Sequence, residues 1–114
     1  MDKLTIYQEA IKSIILKYST GISVPEGYEE YESQAVIDDE RGHYFVYGVG
    51  WNGYKRIHGC TIHIDLKGEK VWVQKDATDS IIVDQLMELG VLQEDIILAF
   101  HAPYKRPYTG FAIA

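Results

Sequence analysis

The sequence predicts an α+β fold, in which an antiparallel meander of four strands is accompanied by an N-terminal helix and a second helix after strand four. Two patterns carry this prediction. Apolar residues near the N-terminus recur at helical spacing, and four strand-like runs then follow with turn signals between them. With 114 residues, the chain is long enough for one hydrophobic core. We therefore expect residues 1–114 to form a single domain.

The N-terminal segment is predicted to be an amphipathic helix that packs on the sheet, because a small sheet needs a cover on one face. Asp2 is the expected N-cap, and Gly21 is the expected end of the helix. Charged residues lie off the apolar stripe, as is typical of a helix with one solvated side. The stripe consists of Leu4, Tyr7, Ile11, Ile14, Ile15 and Tyr18.

Four strand-like runs occupy the middle of the chain. They are rich in β-branched and aromatic residues, and turn-forming residues separate them. A loop over residues 20–32 should connect them to the first helix, because proline, glycine and several glutamates interrupt any periodic pattern there. The predicted strands are residues 34–38, 43–51, 55–66 and 69–76.

The turns between these runs determine the expected topology. Asn52-Gly53 is the strongest hairpin signal, because both residue types tolerate the positive φ that a type I′ turn requires. Residues 39–42 and Lys67-Gly68 mark the other two turns. Three consecutive hairpins favour an antiparallel meander over a parallel sheet. We also expect a β-bulge near Gly59 in the third strand.

A second helix is predicted after the fourth strand. Thr78 or Asp79 can cap its start, and Gly90 can end it. Residues 96–100 resemble a short extended run. Two prolines exclude a regular α-helix from the tail, residues 101–114.

Side chains alternate along a strand, so residue parity assigns them to the two faces of the sheet. In the third strand Cys60 shares a face with three apolar residues, so we expect it to be a buried small hydrophobe rather than a nucleophile. In the second strand neither face is polar, and a sheet of this kind usually has both faces covered. The helices can cover one face. The other needs the tail, a second subunit or a protein partner.

The composition disfavours several classes of protein. Eleven basic and seventeen acidic residues give a net charge of −6, which opposes independent binding to nucleic acid. The single cysteine permits no intrachain disulfide, as is typical of a reducing compartment. No apolar run approaches the roughly 20 residues that a membrane span requires, and the N-terminus lacks the pattern of a signal peptide. We expect a cytoplasmic protein without membrane contact.

The sequence shows no catalytic constellation. His63 and Asp65 share a strand face and could both reach a metal ion, but two ligands do not make a site and no CxxC or HExxH pattern accompanies them. A metal-dependent hydrolase or nuclease on this pair is the weaker interpretation. Gly48-Val49-Gly50 lies inside a strand and indicates close packing rather than a phosphate loop. We expect no catalytic residues, no metal site and no cofactor.

Aromatic residues point to contact with another protein. Nine tyrosines and two tryptophans are present, and aromatic side chains with a polar edge are enriched at interfaces. Residues 101–108 combine aromatic and basic side chains and could alternatively stack a base and hold a phosphate, with Lys55 and Arg56 as a second basic group. The residues expected to contact a partner are Phe45, Tyr47, Trp51, Trp72, Tyr104, Lys105, Arg106 and Tyr108.

Several short segments along the chain are informative when taken together. They are Val49-Gly50-Trp51, His58-Gly59-Cys60 with His63-Ile64-Asp65, Val71-Trp72-Val73-Gln74, residues 88–91 with 94–101, and residues 105–112. In this order and spacing they resemble the XisI family of fdxN-element excision controlling factors. The resemblance covers nearly the whole chain, including the N-terminal helix. Leu92 departs from the family pattern, which has a proline after Leu-Gly-Val.

The resemblance implies a role in controlling site-specific DNA excision during a developmental genome rearrangement of cyanobacteria. Such proteins act beside a recombinase and do not catalyse strand exchange, and they are encoded with an XisH-like companion that is related to nucleases. We therefore expect a non-enzymatic accessory protein, forming a homo-oligomer, that binds an XisH-like companion and contacts DNA only indirectly, with a site-specific recombinase complex as a further partner. Two alternatives remain: a direct DNA-binding factor that uses Lys55, Arg56, Lys105 and Arg106, and an antitoxin-like inhibitor of a nuclease-like companion.

Overall fold

A computed structural model describes residues 2–20, 24, 26–78 and 81–114. Within these residues two α-helices pack against one face of a five-stranded sheet whose strands lie in sequence order. Short 3₁₀ helices follow at Gln93–Asp95 and Pro103–Tyr108. The elements are α1 (Lys3–Ser19), β1 (Tyr28–Asp38), β2 (His43–Asn52), β3 (Lys55–Lys67), β4 (Lys70–Asp76), α2 (Ile82–Glu88) and β5 (Ile96–Leu98).

Helix α1 forms as its sequence predicts. The Asp2 side chain accepts a hydrogen bond of 2.8 Å from the Thr5 amide, which confirms it as the N-cap. The predicted end at Gly21 lies outside the described residues. The stripe is confirmed at its centre, whereas Leu4 is exposed at one end. The buried residues of α1 are Tyr7, Ala10, Ile11, Ile14 and Ile15.

The first four strands form the predicted antiparallel meander, but the prediction of a four-stranded, purely antiparallel sheet is wrong. Strand β5 adds a fifth member, and it pairs in parallel with β4, Val71 opposite Ile96 and Val73 opposite Leu98. The chain passes through α2 between these strands, so it re-enters the sheet in the same direction. β5 is only three residues long and buried throughout, so it lacks the alternation that identifies a half-buried strand.

Strand β1 is longer than predicted, because residues 28–32 belong to it and not to the preceding loop. A β-bulge between Glu29 and Glu32 lies opposite Gly50, and Glu30 adopts a positive φ of 51° there. β1 is an edge strand with mostly exposed side chains, so its polar residues are compatible with strand structure.

Helix α2 begins later than predicted. Its N-cap is Ile81, which offers no side-chain cap, and the Asp76 carboxylate accepts a hydrogen bond from the Ile82 amide at 3.3 Å instead. Thr78 is therefore not the cap, and Asp79 lies outside the described residues. The predicted end is confirmed, because Gly90 follows the helix with a φ of 104°. Two hydrogen bonds close a Schellman motif there, from Gly90 to Met87 and from Val91 to Leu86.

The predicted bulge in β3 is present and decides which side chains share a face. The register between β2 and β3 shifts so that Val46 pairs with Ile62 but Tyr47 pairs with Cys60, which leaves Thr61 as the extra residue. The prediction that Cys60 lies in the core is therefore wrong. It is half-buried on the Tyr47 side, and burial raises the pKa of its thiol. The sheet residues of the core are Tyr44, Val46, Ile62, Ile64, Leu66, Val71, Val73, Ile96 and Leu98.

Candidate functional site

The face of the sheet opposite the helices is only partly covered by the described residues. We call it the open face. Its side chains are half-buried or exposed, whereas most of the residues that alternate with them on β2, the second half of β3 and β4 are buried. Its members are His43, Phe45, Tyr47, Val49 and Trp51 on β2, Arg56, His58, Cys60, His63 and Asp65 on β3, and Trp72 and Gln74 on β4.

A row of rings runs along the open face. The Phe45 ring stacks on the His63 imidazole with their centroids 4.2 Å apart, and it lies 6.0 Å from the Tyr47 ring. Tyr47 in turn lies 6.0 Å from His58. Such rings combine apolar area with polar edges, which suits a surface that binds another protein.

Trp51 continues this row towards the β2–β3 turn. Trp51 is 38% exposed, and the Arg56 guanidinium lies 5.3 Å from the centroid of its ring. Arg56 also donates a hydrogen bond of 3.3 Å to the Gly50 carbonyl. The arginine is thus held against the indole by a cation–π contact and a backbone contact.

At the other end of the row, two histidines converge on one carboxylate. Asp65 Oδ1 lies 2.8 Å from His43 Nδ1 and 2.8 Å from His63 Nε2. Gln74 Nε2 donates a hydrogen bond of 3.2 Å to the other carboxylate oxygen. The imidazole of His43 is the most exposed part of this cluster, at 49%, and the Asp65 side chain is the least, at 16%.

The tail covers only the β4–β5 end of the open face. Arg106 lies 5.8 Å from the Trp72 ring and donates hydrogen bonds to the carbonyl groups of His101 and Ala99. Ile97, which pairs with Trp72, is fully buried. The ring row on β2 and β3 is left half-exposed, so the tail is not a complete cover.

The 3₁₀ helix of the tail presents its own aromatic side chains to solvent. Tyr104 is 72% exposed and Tyr108 is 88% exposed. A cleft of about 450 Å³ lies beside them, lined by Leu98, His101, Lys105, Tyr108 and Thr109.

The two basic groups considered for DNA contact lie far apart. Arg56 is at the β2–β3 turn, whereas Arg106 contacts Trp72, which pairs with Asp65. Asp65 is nine residues further along β3 than Arg56, a separation of about 30 Å at the rise of an extended strand. The two groups therefore do not form one continuous patch.

The sequence of residues 1–113 matches the family model described as XisI protein. The chain belongs to the XisI family. Its structure is also similar to that of a XisI-like protein from Anabaena variabilis ATCC 29413, with a TM-score of 0.87, 40% identity, and coverage of 97% of this chain and 99% of the other. The family resemblance predicted from the sequence is thereby confirmed.

A second solved structure similar to this XisI-family chain is the fdxN element excision controlling factor XisI from Anabaena variabilis ATCC 29413. The TM-score is 0.84 at 38% identity, with coverage of 99% of this chain and 100% of the other. No curated protein matches the chain significantly. None of the described helices is long and apolar enough to cross a membrane.

The structure distributes the eight predicted contact residues of this XisI-family chain over two areas. Phe45, Tyr47 and Trp51 lie together in the row on the open face. Trp72 lies on the same face beyond β3, with Arg106 of the tail beside its ring. The other three are exposed on the tail and are Tyr104, Lys105 and Tyr108.

Sequence reasoning missed His58 as a member of the row, and also His43, whose ring centroid lies 6.4 Å from that of Phe45. The parity of β2 places His43 on the same face as Phe45, so a signal for it was present. His58 joins the row only because of the bulge at Thr61, which reverses the parity of the strand on either side.

Proposed function

We propose that this XisI-family protein is an accessory factor in the control of site-specific DNA excision and that it acts by binding an XisH-like companion protein through the open face. Family membership and a relative named as an excision controlling factor support the role in excision control. That name describes a controlling factor and not a catalyst. The observation that carries the proposed contact is the half-exposed row of rings on a sheet face that the tail covers only at its β4–β5 end.

The chemistry of the row favours a protein over a nucleic acid as its partner. Tyrosine and tryptophan dominate the energetics of many interfaces, because they bury a large area at a small entropic cost. The net charge of −6 repels a phosphate backbone at long range. Arg56 already contacts the Trp51 indole and a carbonyl group.

The tail supplies a second area for the same partner. Tyr104 and Tyr108 project from a 3₁₀ helix that Arg106 fastens beside Trp72, at the margin of the open face. A companion that spans the sheet from Trp51 to the tail contacts all eight predicted residues. Contact with the recombinase is then made through this companion.

The experiment is co-purification of the protein with the XisH-like companion encoded beside it, with the mass of the complex measured by light scattering. We expect a stable complex. Trp51→Ala should weaken it by about 30-fold, because an interface residue of this kind is often worth about 2 kcal/mol. Leu16→Ala is the control, because Leu16 is 48% exposed on α1, in the helix layer.

Two outcomes contradict the proposal. One is that the protein elutes alone or as a homo-oligomer when the companion is present in excess. The other is that Trp51→Ala and Tyr104→Ala bind as tightly as the wild type while remaining folded. If a complex forms, the companion's nuclease activity with and without this protein distinguishes an activating factor from an antitoxin-like inhibitor.

A further inference from the structure

We propose that His43, His63 and Asp65 form a binding site for a Zn²⁺ ion on the open face. The site does not depend on the function proposed above, because its ligands all come from this chain. The sequence alone did not favour a metal site, because it indicated only two ligands, His63 and Asp65. Pairing of β2 with β3 supplies the third, since His43 lies directly opposite Asp65.

The three ligand atoms are already close to a coordination geometry. His43 Nδ1, His63 Nε2 and Asp65 Oδ1 all lie within 4.8 Å of one another. In a tetrahedral zinc site with bonds of about 2.0–2.1 Å, neighbouring ligand atoms are about 3.3 Å apart. The two nitrogen–oxygen distances of 2.8 Å must open by about half an ångström, and the two nitrogens, which lie within 4.8 Å of each other, must reach the same separation. Small side-chain rotations provide this movement without a change in the strands.

The donor set suits zinc chemically. Two imidazole nitrogens and one carboxylate oxygen are common zinc ligands, and three protein ligands with an open fourth position are typical of sites that also hold water. Each neutral imidazole binds through the lone pair of the nitrogen that faces Asp65 and carries its proton on the other nitrogen. The ion then replaces the hydrogen bonds that join both rings to the same oxygen.

The surrounding residues hold the ligands in place. Phe45 stacks on the His63 ring at 4.2 Å and limits its rotation. Gln74 donates a hydrogen bond to Asp65 Oδ2, which leaves Oδ1 directed at the two imidazoles. Contacts of this kind around metal ligands orient them and raise affinity. Lys75 pairs with His63 from β4, but it is exposed, and its long side chain can turn into solvent.

Partial burial strengthens the case. The Asp65 side chain is 16% exposed and the His63 side chain is 28% exposed. A carboxylate in such a position interacts with a cation in a medium of lower effective dielectric than water, which increases the attraction. His43 remains 49% exposed, so the fourth coordination position faces solvent.

The test is isothermal titration of the untagged, chelator-treated full chain with Zn²⁺. We expect one ion per chain and a dissociation constant in the micromolar range or below. His43→Ala and Asp65→Asn should each weaken binding at least tenfold, whereas His58→Ala should leave it unchanged. His58 is a suitable control because it lies on the same face, outside the cluster. Co²⁺ substituted at the site should give the visible absorption of a tetrahedral ion, and that absorption should disappear in Asp65→Asn.

Three results overturn the proposal. They are a stoichiometry well below one, equal weakening in His58→Ala and His43→Ala, and the octahedral spectrum of hydrated Co²⁺. His43 is exposed enough for its alanine variant to fold, so a loss of binding there cannot be ascribed to unfolding. The chemical denaturation midpoint of each variant without metal provides the check.

Discussion

Asp95 is the buried acid within the described part of the chain, at 6% exposure. Its carboxylate accepts hydrogen bonds from Tyr7 Oη at 2.5 Å and from Lys3 Nζ at 2.7 Å. Burial by itself raises the pKa of Asp95, but these two donors outweigh it, so the pKa is lowered overall. Tyr7 Oη also accepts from the Leu92 amide, so the cluster ties α1 to the segment that leads into β5.

This cluster predicts a specific acid sensitivity. Because the pKa of Asp95 is lower in the folded state, its stabilisation is complete above the unfolded pKa of about 3.9 and is lost as the pH falls through the folded value. Asp95→Asn should lower the free energy of unfolding by about 2 kcal/mol near neutral pH, because it removes a hydrogen-bonded charge. It should also show a smaller loss of stability between neutral pH and about pH 3 than the wild type.

Urea denaturation at the two pH values measures both effects. Glu94→Gln, at the exposed position next to Asp95, is the matched control and should keep the acid sensitivity of the wild type. An unchanged acid dependence in Asp95→Asn would contradict this account of the cluster.

At the scale of single elements, the bulge between β1 and β2 depends on a glycine. Gly50 has a φ of 152°, and a Cβ atom there would lie 2.8 Å from Tyr31 Cα and 3.1 Å from the Glu29 carbonyl oxygen. These are backbone atoms that cannot move without breaking the strand pairing. Gly50→Ala should therefore lower the free energy of unfolding by about 2 kcal/mol or more.

Gly59 offers the matched control on the neighbouring strand. A Cβ atom there meets nothing within 4 Å, so Gly59→Ala should be neutral or stabilise by up to about 1 kcal/mol through the unfolded chain. Guanidinium denaturation of both variants gives the comparison. Equal effects in the two variants would show that close backbone approach at Gly50 is not the cause.

The elements that could be predicted from the sequence are those with local signals. The α1 stripe, the hairpin between β2 and β3 and the helix end at Gly90 each follow from residue type and spacing. The predicted turn residues of that hairpin are wrong by one position, because Asn52 pairs with Lys55 and the turn is Gly53-Tyr54, with the positive φ of 62° at Gly53. The extended run expected over residues 96–100 is confirmed for residues 96–98, which form β5. Its parallel pairing with β4 could not be recognised, because three residues buried on both sides carry no period and the pairing depends on contacts distant in sequence.

In the candidate site, too, the features with local sequence signals could be predicted and those that depend on distant contacts could not. A hairpin that continued in register from the Asn52–Lys55 pair would pair His43 with Ile64, and His43 and Asp65 would then not be partners. The extra residue at Thr61 shifts the register by one and brings them together. A bulge near Gly59 could be expected from the glycine, but its position two residues further on depends on pairing with β2, where Thr61 Oγ1 donates a hydrogen bond of 3.1 Å to the Val46 carbonyl. The Phe45–Tyr47–Trp51 row could be predicted, because it lies within one strand and needs only parity.

At the scale of the whole molecule, the distribution of charge and aromatic area favours a protein partner over DNA. The chain carries a net charge of −6, and its two basic groups lie at separate ends of the sheet. The open face between them is mostly aromatic. Association through such a face is driven mainly by burial of apolar surface, which salt does not weaken.

The complex with the companion should therefore tolerate salt. We expect its dissociation constant to change by no more than about threefold between about 50 and 500 mM salt, since screening acts on charge pairs rather than on apolar contact. Direct DNA binding through Lys55, Arg56, Lys105 and Arg106 would behave differently. Four phosphate contacts imply a slope near −3.6 in log affinity against log salt, a loss of more than about a thousandfold over the same range.

A paired variant separates the two hypotheses further. Lys55→Gln with Lys105→Gln removes one exposed cation from each basic group and leaves both arginine contacts in place. Fluorescence anisotropy of labelled companion and of labelled duplex DNA, each titrated with this variant, should show companion binding weakened by no more than about threefold, because Lys105 is an exposed cation at the margin of the proposed interface. If the duplex binds the wild type at low salt and the variant loses that affinity, the basic groups contact DNA directly, and the open face is not the principal binding surface.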